Sequence, residues 1–582
     1  MWPKIALAFI GLSILAGAAC RDAQAPAAGA PPAADLVLEG GRIYTVDPAQ
    51  PWAEAVAIRD GRFVYVGDAA GVAGFVGPAT ERHDLAGRMA MPGIVDAHTH
   101  PGMMAVFGSE EAGEQLPKES HEAILAFVAD YAARHPELDK IVLAEWPTAL
   151  YGVRGPQRRE LDRAVPDRPV LLFDDSGHST WVNTRMLELI GVDRDTPDVA
   201  PGVSYFQRDA DGELTGWIKE FGGTPYLRNV LVPPSGDLAD VVVRFLEFLG
   251  RHGVTTLLDG GNMGMDDVVY SEIAALERAG KLPLRYEGVY MVTMPEQIPG
   301  AIAELERLRA TYGGERLRFN TMKILLDGIH EIRTAAILED YADEPGNRGN
   351  TILSASALRD FILELDRAGL DLHLHTVSDR AVRTALDAVE AARALAGRPL
   401  ATRVTLCHLE LIDDADVPRF RELGVVANFT PHWHGMGYLY GWQAPLGPER
   451  AARTMRAQPL LDAGVVVNFG SDETYITGMP RTDPFYGMQV AHNRQDPEGG
   501  PDAPVRPPLS ERLRLEDLVK GYTLNGAYQL RLDDEIGSIA VGKAADLLVL
   551  DTNLFEVDRY AVHRVAPEAV VMQGRVLYGR LP

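Results

Sequence analysis

The feature of this sequence that most constrains its fold is a series of short apolar runs that alternate with amphipathic helical segments. Runs of this kind favour strands buried on both faces, and helices between them favour a parallel sheet. Eight such strands predict an α/β fold of the (β/α)8, or TIM-barrel, type. A doubly wound sheet is the alternative, but no Gly-x-Gly-x-x-Gly motif follows the first strand. The predicted strands are 93–100, 254–259, 285–292, 318–327, 371–375, 403–410, 425–429 and 465–472.

Two further groups of short strands lie at opposite ends of the chain. Residues 35–68 alternate apolar and polar side chains, with Gly40-Gly41 and Asp60-Gly61 as hairpin turns. A similar pattern occurs near the other end, at 546–550 and 569–578. Because chain termini often lie close together, the two groups could form one sheet. The predicted domains are 35–91 with 531–582 for this sheet, 92–107 with 250–530 for the barrel, and 108–249 for a lobe inserted after the first barrel strand.

The first 19 residues are predicted to be an export signal. Lys4 gives a positive start, and the apolar run at 5–15 is too short to span a bilayer. Small residues then precede Cys20, which resembles a bacterial lipoprotein signal in which Cys20 is lipidated. Ordinary cleavage after Ala19 is the alternative. We therefore expect an exported, periplasmic protein, membrane-anchored through a lipidated Cys20, with a flexible Pro/Ala tether at 20–34.

Charge, cysteine content and missing motifs exclude several classes of protein. The chain has 82 acidic against 56 basic residues and no run of Lys or Arg, so we expect no nucleic-acid partner. Its two cysteines, Cys20 and Cys407, provide no disulfide framework. It has neither a Gly-x-Ser-x-Gly motif nor a phosphate-binding loop, which argues against serine and nucleotide hydrolases.

The strongest local motif is Asp96-Ala97-His98-Thr99-His100, at the end of the first predicted barrel strand. Residues two apart on a strand share a face, so His98 and His100 point the same way. Barrel enzymes keep their sites at this end of the strands. Two imidazoles on one face suit a divalent metal such as zinc, although the motif alone is also compatible with chance.

Lys323 lies within another apolar strand, between Met322 and Ile324. A lysine there would be buried, and an unpaired buried ammonium is costly. It could pair with Asp327 or another neighbouring acid. The alternative is that the lysine takes part in a metal site.

Three more candidate ligands lie at the ends of predicted strands, namely His375, His408 and Asp472. Each histidine by itself is more simply a hydrogen-bonded core residue. The ordered series on successive strands, from the paired histidines through Lys323 to Asp472, is much harder to obtain by chance. His373 shares the strand face of His375 and is its rival as a ligand.

This series resembles the amidohydrolase superfamily of metal-dependent hydrolases, and more closely its amidohydrolase-3, or YtcJ-like, branch. The resemblance extends over nearly the whole chain after the tether. The matching segments are MPGIVDAHTH at 91–100, MKILLDG at 322–328, HTVSDRA at 375–381, HLELID at 408–413, GSD at 470–472 and IGSIAVGKAADLLVL at 536–550. Two more lie in the predicted insertion, DSGHSTWVN at 175–183 and DGELTGWIKE at 211–220.

The resemblance implies a barrel with a small β-sandwich built from both chain ends, and a site for two divalent metal ions, with zinc as the expected metal. The implied ligands are His98, His100 and Asp472 for one ion and His375 and His408 for the other. Lys323 would bridge the two as a carbamate formed with CO2, which turns a costly buried cation into an anionic ligand. The resemblance also favours His375 over His373.

Six further residues are weaker candidates for substrate contacts. His178 and Trp181 lie in the insertion and could cover the site, or simply pack within the lobe. The others follow barrel strands, where loops meet substrate, and could equally lie in a solvated loop or support another residue. They are His330, Arg333, His432 and His434.

We therefore expect a hydrolase that cleaves a carbon–nitrogen bond of a small, non-peptide amide. A hydroxide bridging the metals would attack, and Asp472 would accept the water proton and return it to the leaving nitrogen. One alternative is a deaminase of the same superfamily with a single metal, against which Lys323 argues. The other is a non-catalytic surface binding protein, against which the complete ligand set argues. The expected partner is a small-molecule substrate, and an oligomer is left open.

Overall fold

The computed structural model describes residues 32–106, 115–227, 230 and 235–582. The predicted export signal and Cys20 lie outside the described residues. No helix in the described ranges is both long and apolar enough to cross a membrane.

The strands form three sheets. In chain order they are β1 Leu36–Tyr44, β2 Trp52–Arg59, β3 Arg62–Gly67, β4 Glu81–Asp84, β5 Met89–Pro92, β6 Ile94–Thr99, β7 Ile141–Trp146, β8 Val170–Asp174, β9 Ser179–Val182, β10 Tyr205–Arg208, β11 Leu214–Lys219, β12 Val254–Asp259, β13 Arg285–Val292, β14 Leu317–Leu325, β15 Asp371–Thr376, β16 Val404–His408, β17 Val426–Phe429, β18 Val467–Phe469, β19 Leu547–Leu550, β20 Pro567–Met572 and β21 Arg575–Gly579.

The α-helices connect these strands and cover them. They are α1 Ala69–Val72, α2 Pro101–Val106, α3 His121–Arg134, α4 Arg158–Ala164, α5 Thr184–Ile190, α6 Thr224–Leu227, α7 Ser235–Arg251, α8 Asp266–Arg278, α9 Ala301–Tyr312, α10 Ala355–Ala368, α11 Asp379–Ala396, α12 Val417–Leu423, α13 Met436–Ala452, α14 Gln458–Asp462, α15 Pro484–Asn493, α16 Leu515–Lys520 and α17 Gly526–Gln529.

Helix α10 shows how the local sequence sets these elements. The Ser354 side chain caps its first turn by accepting a hydrogen bond from the backbone N–H of Ala357. Gly369 ends it in the left-handed conformation, which only glycine adopts without strain. Between them, Leu358 and Phe361 recur at helical spacing and are buried in the core of the barrel.

The barrel sheet contains eight strands in the order β18-β17-β16-β15-β14-β13-β12-β6. Each pair along this path is parallel, and all eight predicted barrel strands are present, so the predicted fold class is confirmed. The first and last strands of the barrel, β6 and β18, meet where the backbone N–H of Asp472 donates to the carbonyl of His98 over 2.9 Å. A Cβ atom at Gly470 would lie 2.5 Å from that carbonyl oxygen, so glycine permits the close approach.

Both ends of the chain contribute to a second eight-stranded sheet, in the order β21-β20-β19-β5-β1-β2-β3 with β4 beside β1. The junction is the antiparallel pair β19–β5, in which Leu548 faces Met91. Val56 from one end packs in the same apolar cluster as Val549 from the other. A buried ion pair between Arg285 and Asp546 ties this sheet to the start of barrel strand β13.

The segment after the first barrel strand forms a lobe with a five-stranded sheet, in the order β10-β11-β9-β8-β7. It rests on the barrel mouth, where the Tyr475 hydroxyl donates to the carbonyl of Asp174 over 2.6 Å. Helix α7 does not belong to this lobe, because Val242 and Phe245 are buried in the barrel's own core. The predicted lobe boundary at residue 249 therefore lies inside a barrel helix, whose amphipathic pattern does not reveal which core it covers.

Candidate metal centre

The residues that the sequence marks as metal ligands meet at the carboxyl ends of the barrel strands. They are His98 and His100 at the end of β6, Lys323 in β14, His375 in β15, His408 at the end of β16 and Asp472 after β18. Parallel strands deliver their carboxyl ends to the same mouth of the barrel, so residues distant in sequence converge there. The five basic side chains are buried, and the carboxylate of Asp472 is only 9% exposed.

His98, His100 and Asp472 form the tightest group. The Nε2 atoms of the two histidines are 3.2 Å apart, and Asp472 Oδ1 lies 3.4 Å from the first and 3.3 Å from the second. Nδ1 of His100 donates to the carbonyl of Gly261, so its Nε2 presents a lone pair to the group. Two imidazole nitrogens and a carboxylate oxygen this close together are a ligand set that suits a divalent metal.

His408 lies on the other side of Asp472. Its Nδ1 is 3.0 Å from Asp472 Oδ2, whereas its Nε2 is buried without a hydrogen-bond partner. The ring of His375 packs against it with centroids 4.3 Å apart. Nε2 of His375 donates to the carbonyl of Gly328 over 3.3 Å. An orphaned imidazole nitrogen beside a second histidine fits a further metal position.

Lys323 is 1% exposed and reaches into this cluster. Its Nζ lies 3.4 Å from His98 Nε2 and 3.4 Å from Cys407 Sγ. Asp327 accepts hydrogen bonds from the backbone N–H groups of Val377 and Ala336 instead of pairing with the lysine. Among the described residues no carboxylate forms an ion pair with Lys323, so its positive charge is left uncompensated by the protein.

His373 lies deeper in the barrel than His375. Its Nε2 is 3.0 Å from Nδ1 of His98, and its Nδ1 is 3.3 Å from Nε2 of Gln529. Gln529 in turn donates to the carbonyl of Ala97. His373 therefore supports His98 from behind, whereas His375 borders the open cavity.

The pKa values of this cluster match the protonation states that metal ligands need. Burial lowers the pKa of His408 to about 4, and it holds the pKa values of His98 and His375 well below their usual range. Burial alone would raise the pKa of Asp472, but the nearby His98 and His408 hold it well below its usual range. Neutral imidazoles and an ionised carboxylate are the forms that bind metal. Burial raises the pKa of the Cys407 thiol to about 12, so it is not a reactive nucleophile.

The arrangement of donor atoms therefore fits divalent metal ions. Nε2 of His98 and Nε2 of His100 face each other and the carboxylate of Asp472, and Nε2 of His408 has no hydrogen-bond partner among the described residues. A cation at their centre would bind these atoms. His98, His100 and Asp472 would hold one ion; His375, His408 and a carboxylated Lys323 would complete a second position.

A cavity of about 440 Å³ opens over this cluster, between the barrel mouth and the inserted lobe. Five carboxylates on its wall are not among the residues predicted from the sequence, namely Glu145, Asp175, Glu473, Glu331 and Glu410. Glu331 and Glu410 lie next to predicted residues. Burial and then Glu331 raise the pKa of Glu410 well above its usual range, and burial raises the pKa of Glu331. Glu331 directly follows His330, and Glu410 lies two residues after His408. Their place next to predicted site residues after barrel strands is the sequence feature that could have identified them.

His178 is the one weaker candidate from the inserted lobe that lines the cavity. Its Nδ1 lies 2.6 Å from Glu220 Oε2, and its ring is 5.4 Å from the ring of His375. A covering role over the ligands is compatible with this position.

The other weaker candidates are not part of the described cavity wall. They are Trp181, His330, Arg333, His432 and His434. Trp181 packs inside the lobe against Trp146, Arg333 forms an ion pair with Asp343, and His330 lies behind Glu410. That these five contact substrate stays a prediction, and the described cavity wall gives it no support. A position after a strand does not decide whether a side chain points into the cavity or into the protein.

The amidohydrolase family model matches residues 81–578 of this chain. The chain belongs to the amidohydrolase family. The predicted family and the predicted class of enzyme, a hydrolase of carbon–nitrogen bonds other than peptide bonds, are thereby confirmed.

Curated relatives cover most of the chain. The putative amidohydrolase YtcJ of Bacillus subtilis (strain 168) is 27% identical over 93% of this chain and 99% of its own length. The N-substituted formamide deformylase of Arthrobacter pascens is 28% identical over 89% of this chain and 93% of its own.

Solved structures share the fold. An uncharacterised metal-dependent hydrolase from Pyrococcus horikoshii OT3 aligns over 90% of this chain and 99% of its own, with a TM-score of 0.64 and 23% identity. Its counterpart from Pyrococcus furiosus has a TM-score of 0.61 and 24% identity, with 90% and 100% of the two chains covered.

Proposed function

We propose that this amidohydrolase cleaves the amide bond of a small, non-peptide substrate at a two-metal centre bridged by a carboxylated Lys323. The observation that carries the proposal is the environment of Lys323, whose Nζ lies 3.4 Å from His98 Nε2 with no carboxylate partner among the described residues. Addition of CO2 to the neutral amine forms a nitrogen–carbon bond and releases one proton. The product is an anion, which removes the cost of an uncompensated buried ammonium.

The ligands that we assign are His98, His100 and Asp472 for one ion, and His375 and His408 for the other. Divalent ions held there would polarise the scissile carbonyl and lower the pKa of a water to near neutrality. The chain's residues supply the geometry. His373 orients His98 from behind, and the carbonyl of Gly261 fixes the tautomer of His100.

Asp472 is the residue to which we assign proton transfer. Its two carboxylate oxygens face different histidines, with Oδ1 toward His100 and Oδ2 toward His408. Its lowered pKa keeps it ionised at neutral pH, so it can accept a proton from the attacking water and pass it to the leaving nitrogen. Product is then released as an amine and a carboxylic acid.

The environment of Lys323 also weighs against the alternatives. In a deaminase with a single metal, neither this lysine nor the orphaned Nε2 of His408 would have a metal to bind. A binding protein without turnover would not need a complete ligand set with a buried carboxylate at its centre.

The experiment is metal analysis of the purified protein together with a substrate panel. The panel consists of N-formyl amines, N-acyl amino acids, cyclic ureas and lactones; the first class is included because one relative is a formamide deformylase. We expect about two metals per chain and turnover on an amide. One metal with turnover only by release of ammonia would favour the deaminase, and no turnover on any class with full metal would favour the binding protein.

We further propose that the protein acts in the periplasm as a lipoprotein anchored through Cys20. The support is the signal at 1–19 and the Pro/Ala tether that follows it. A tether of this composition would let the folded part reach substrate away from the membrane.

A further inference from the structure

Three carboxylates on the cavity wall outside the metal cluster have partners within the protein. Asp175 accepts hydrogen bonds from the backbone N–H and the hydroxyl of Thr148. Glu145 is paired with Lys118, whose Nζ lies 3.2 Å from its carboxylate. Glu473 is paired with Arg481 at 3.0 Å. The described basic residues on the wall outside the metal cluster, Lys118, His178 and Arg481, are each already paired with a carboxylate. Among the described residues, no further positive group is left on the wall for an anionic ligand.

Glu331 and Glu410 accept fewer hydrogen bonds from the described residues. Glu410 is 4% exposed and borders the cavity, and its Oε2 makes no hydrogen bond. The nearest basic group is Nε2 of His330 at 3.6 Å, which is beyond hydrogen-bond distance. Glu331 accepts one hydrogen bond, from the indole N–H of Trp442 over 2.7 Å. A buried carboxylate oxygen without a donor costs free energy, so a ligand that donates to Oε2 of Glu410 would be stabilised at this wall.

Aromatic rings stand beside these two carboxylates. The rings of Trp433 and Tyr438 have centroids 5.5 Å apart, and Tyr438 and Trp442 are 6.4 Å apart. Trp433 also stacks on the ligand His408 at 5.6 Å, so the aromatic wall starts at the metal centre and runs toward Glu331. Aromatic faces attract cations, and they also bury the hydrocarbon part of a substrate.

We propose that the substrate carries a cationic nitrogen group, an ammonium or a guanidinium, which Glu331 and Glu410 bind while its hydrocarbon part lies along Trp433, Tyr438 and Trp442. This inference rests on the proposed function, because it places the scissile amide at the metal cluster. A cation supplies a donor to Oε2 of Glu410, which has none among the described residues, and a counter-charge to Glu331, whose only described hydrogen bond comes from the neutral indole of Trp442. The aromatic wall favours a cation further. An anion would meet two carboxylates, and a neutral group would leave both without a counter-charge.

The test uses three formamides on the metal-loaded protein, which have the same hydrocarbon spacer and differ in the charge of the end group. They are the monoformamide of 1,5-diaminopentane, N-formyl-5-aminopentanol and N-formyl-6-aminohexanoate, with the homologues that are one and two carbons shorter. We expect kcat/KM for the cationic compound to exceed that for the neutral one by roughly 10–100-fold at the best length. The anionic compound should be the poorest.

Two variants locate the effect. Glu331→Gln and Glu410→Gln keep the side-chain shape and should each bring the cationic and neutral compounds to within about threefold of each other. Glu145→Gln is the matched control, because that carboxylate already has Lys118 as its partner, and it should keep the preference. Melting curves check that each variant is folded. If Glu410→Gln does not fold, Glu331→Gln alone tests the loss of the charge preference.

Binding separates this inference from the proposed function. If neither these compounds nor any class of the panel above is hydrolysed, the proposed function fails. Calorimetric dissociation constants for the same compounds still report the charge preference. Equal or better binding of the neutral or anionic compound at every length would overturn the inference. So would an unchanged preference in both glutamate variants.

Discussion

Nζ of Lys323 lies 3.4 Å from Nε2 of His98, although two barrel strands separate their own strands in the sheet. The lysine therefore reaches across the barrel to the first histidine of the metal cluster. Among the described residues no carboxylate forms an ion pair with it, and Asp327, which follows later on the same segment, accepts hydrogen bonds from backbone N–H groups instead. An ammonium at this position has no anionic partner among the described residues, which supports the carbamate proposed above.

The first prediction concerns metal content. Lys323→Ala should lose at least one of about two metals per chain, because the bridging anion is removed. Activity should fall with the metal, and excess bicarbonate should speed recovery of the wild-type apoprotein on metal addition, but not that of the variant. Metal analysis and activity recovery provide the measurement. Retention of both metals and full activity by Lys323→Ala would end the assignment.

The second prediction concerns proton transfer. Asp472→Asn keeps the shape and part of the ligand set but cannot accept a proton. We expect it to fold, to retain most of its metal and to lose roughly 10²–10⁴-fold in kcat. The measurement is kcat on the best substrate, with metal content and a melting curve as controls. A folded, metal-loaded variant within a few-fold of wild type would show that Asp472 has no such role.

The third prediction concerns the space around the ligands. A Cβ atom at Gly260 would lie 2.5 Å from Cε1 of His100 and 2.7 Å from Nε2 of His98. Gly260→Ala should therefore displace both ligands and weaken metal affinity by about 10–100-fold, as disturbed ligand orientation typically does. Competition with a chelator measures it. Gly300→Ala, where a Cβ would meet nothing within 4 Å, is the control and should leave affinity unchanged.

The fourth prediction concerns the joint between the end sheet and the barrel. Asp546→Asn leaves the buried Arg285 without its counter-charge, and breaking such a pair costs about 3–5 kcal/mol in the free energy of unfolding. Denaturant midpoints give the measurement. Asp340→Asn, which breaks the exposed pair with Arg348, should change the midpoint little. Equal effects of the two substitutions would contradict the argument.

The fifth prediction concerns location. If Cys20 is lipidated, cells fed a labelled fatty acid should yield a labelled protein in the membrane fraction, and Cys20→Ala should abolish the label. An unlabelled wild-type protein in the soluble periplasm would instead indicate ordinary cleavage after Ala19.

The order of chemistry-bearing residues could be predicted from the sequence, because it follows from local patterns. Apolar runs at strand length predict the barrel, and the period of two on a strand places His98 and His100 on one face. Once a barrel is assumed, strand ends converge, so His408 and Asp472 become neighbours without further information.

The sequence by itself thus determined the fold class, the family and the set of candidate ligands. Only the tertiary structure decided depth and direction: that His373 lies behind His98, that Lys323 has no acid partner among the described residues, and that Glu331 rather than its neighbour His330 borders the cavity. The physical reason is that periodicity reports which face a side chain takes. Its height along the barrel axis, and the partners it meets there, depend on strand stagger and on loops from distant parts of the chain.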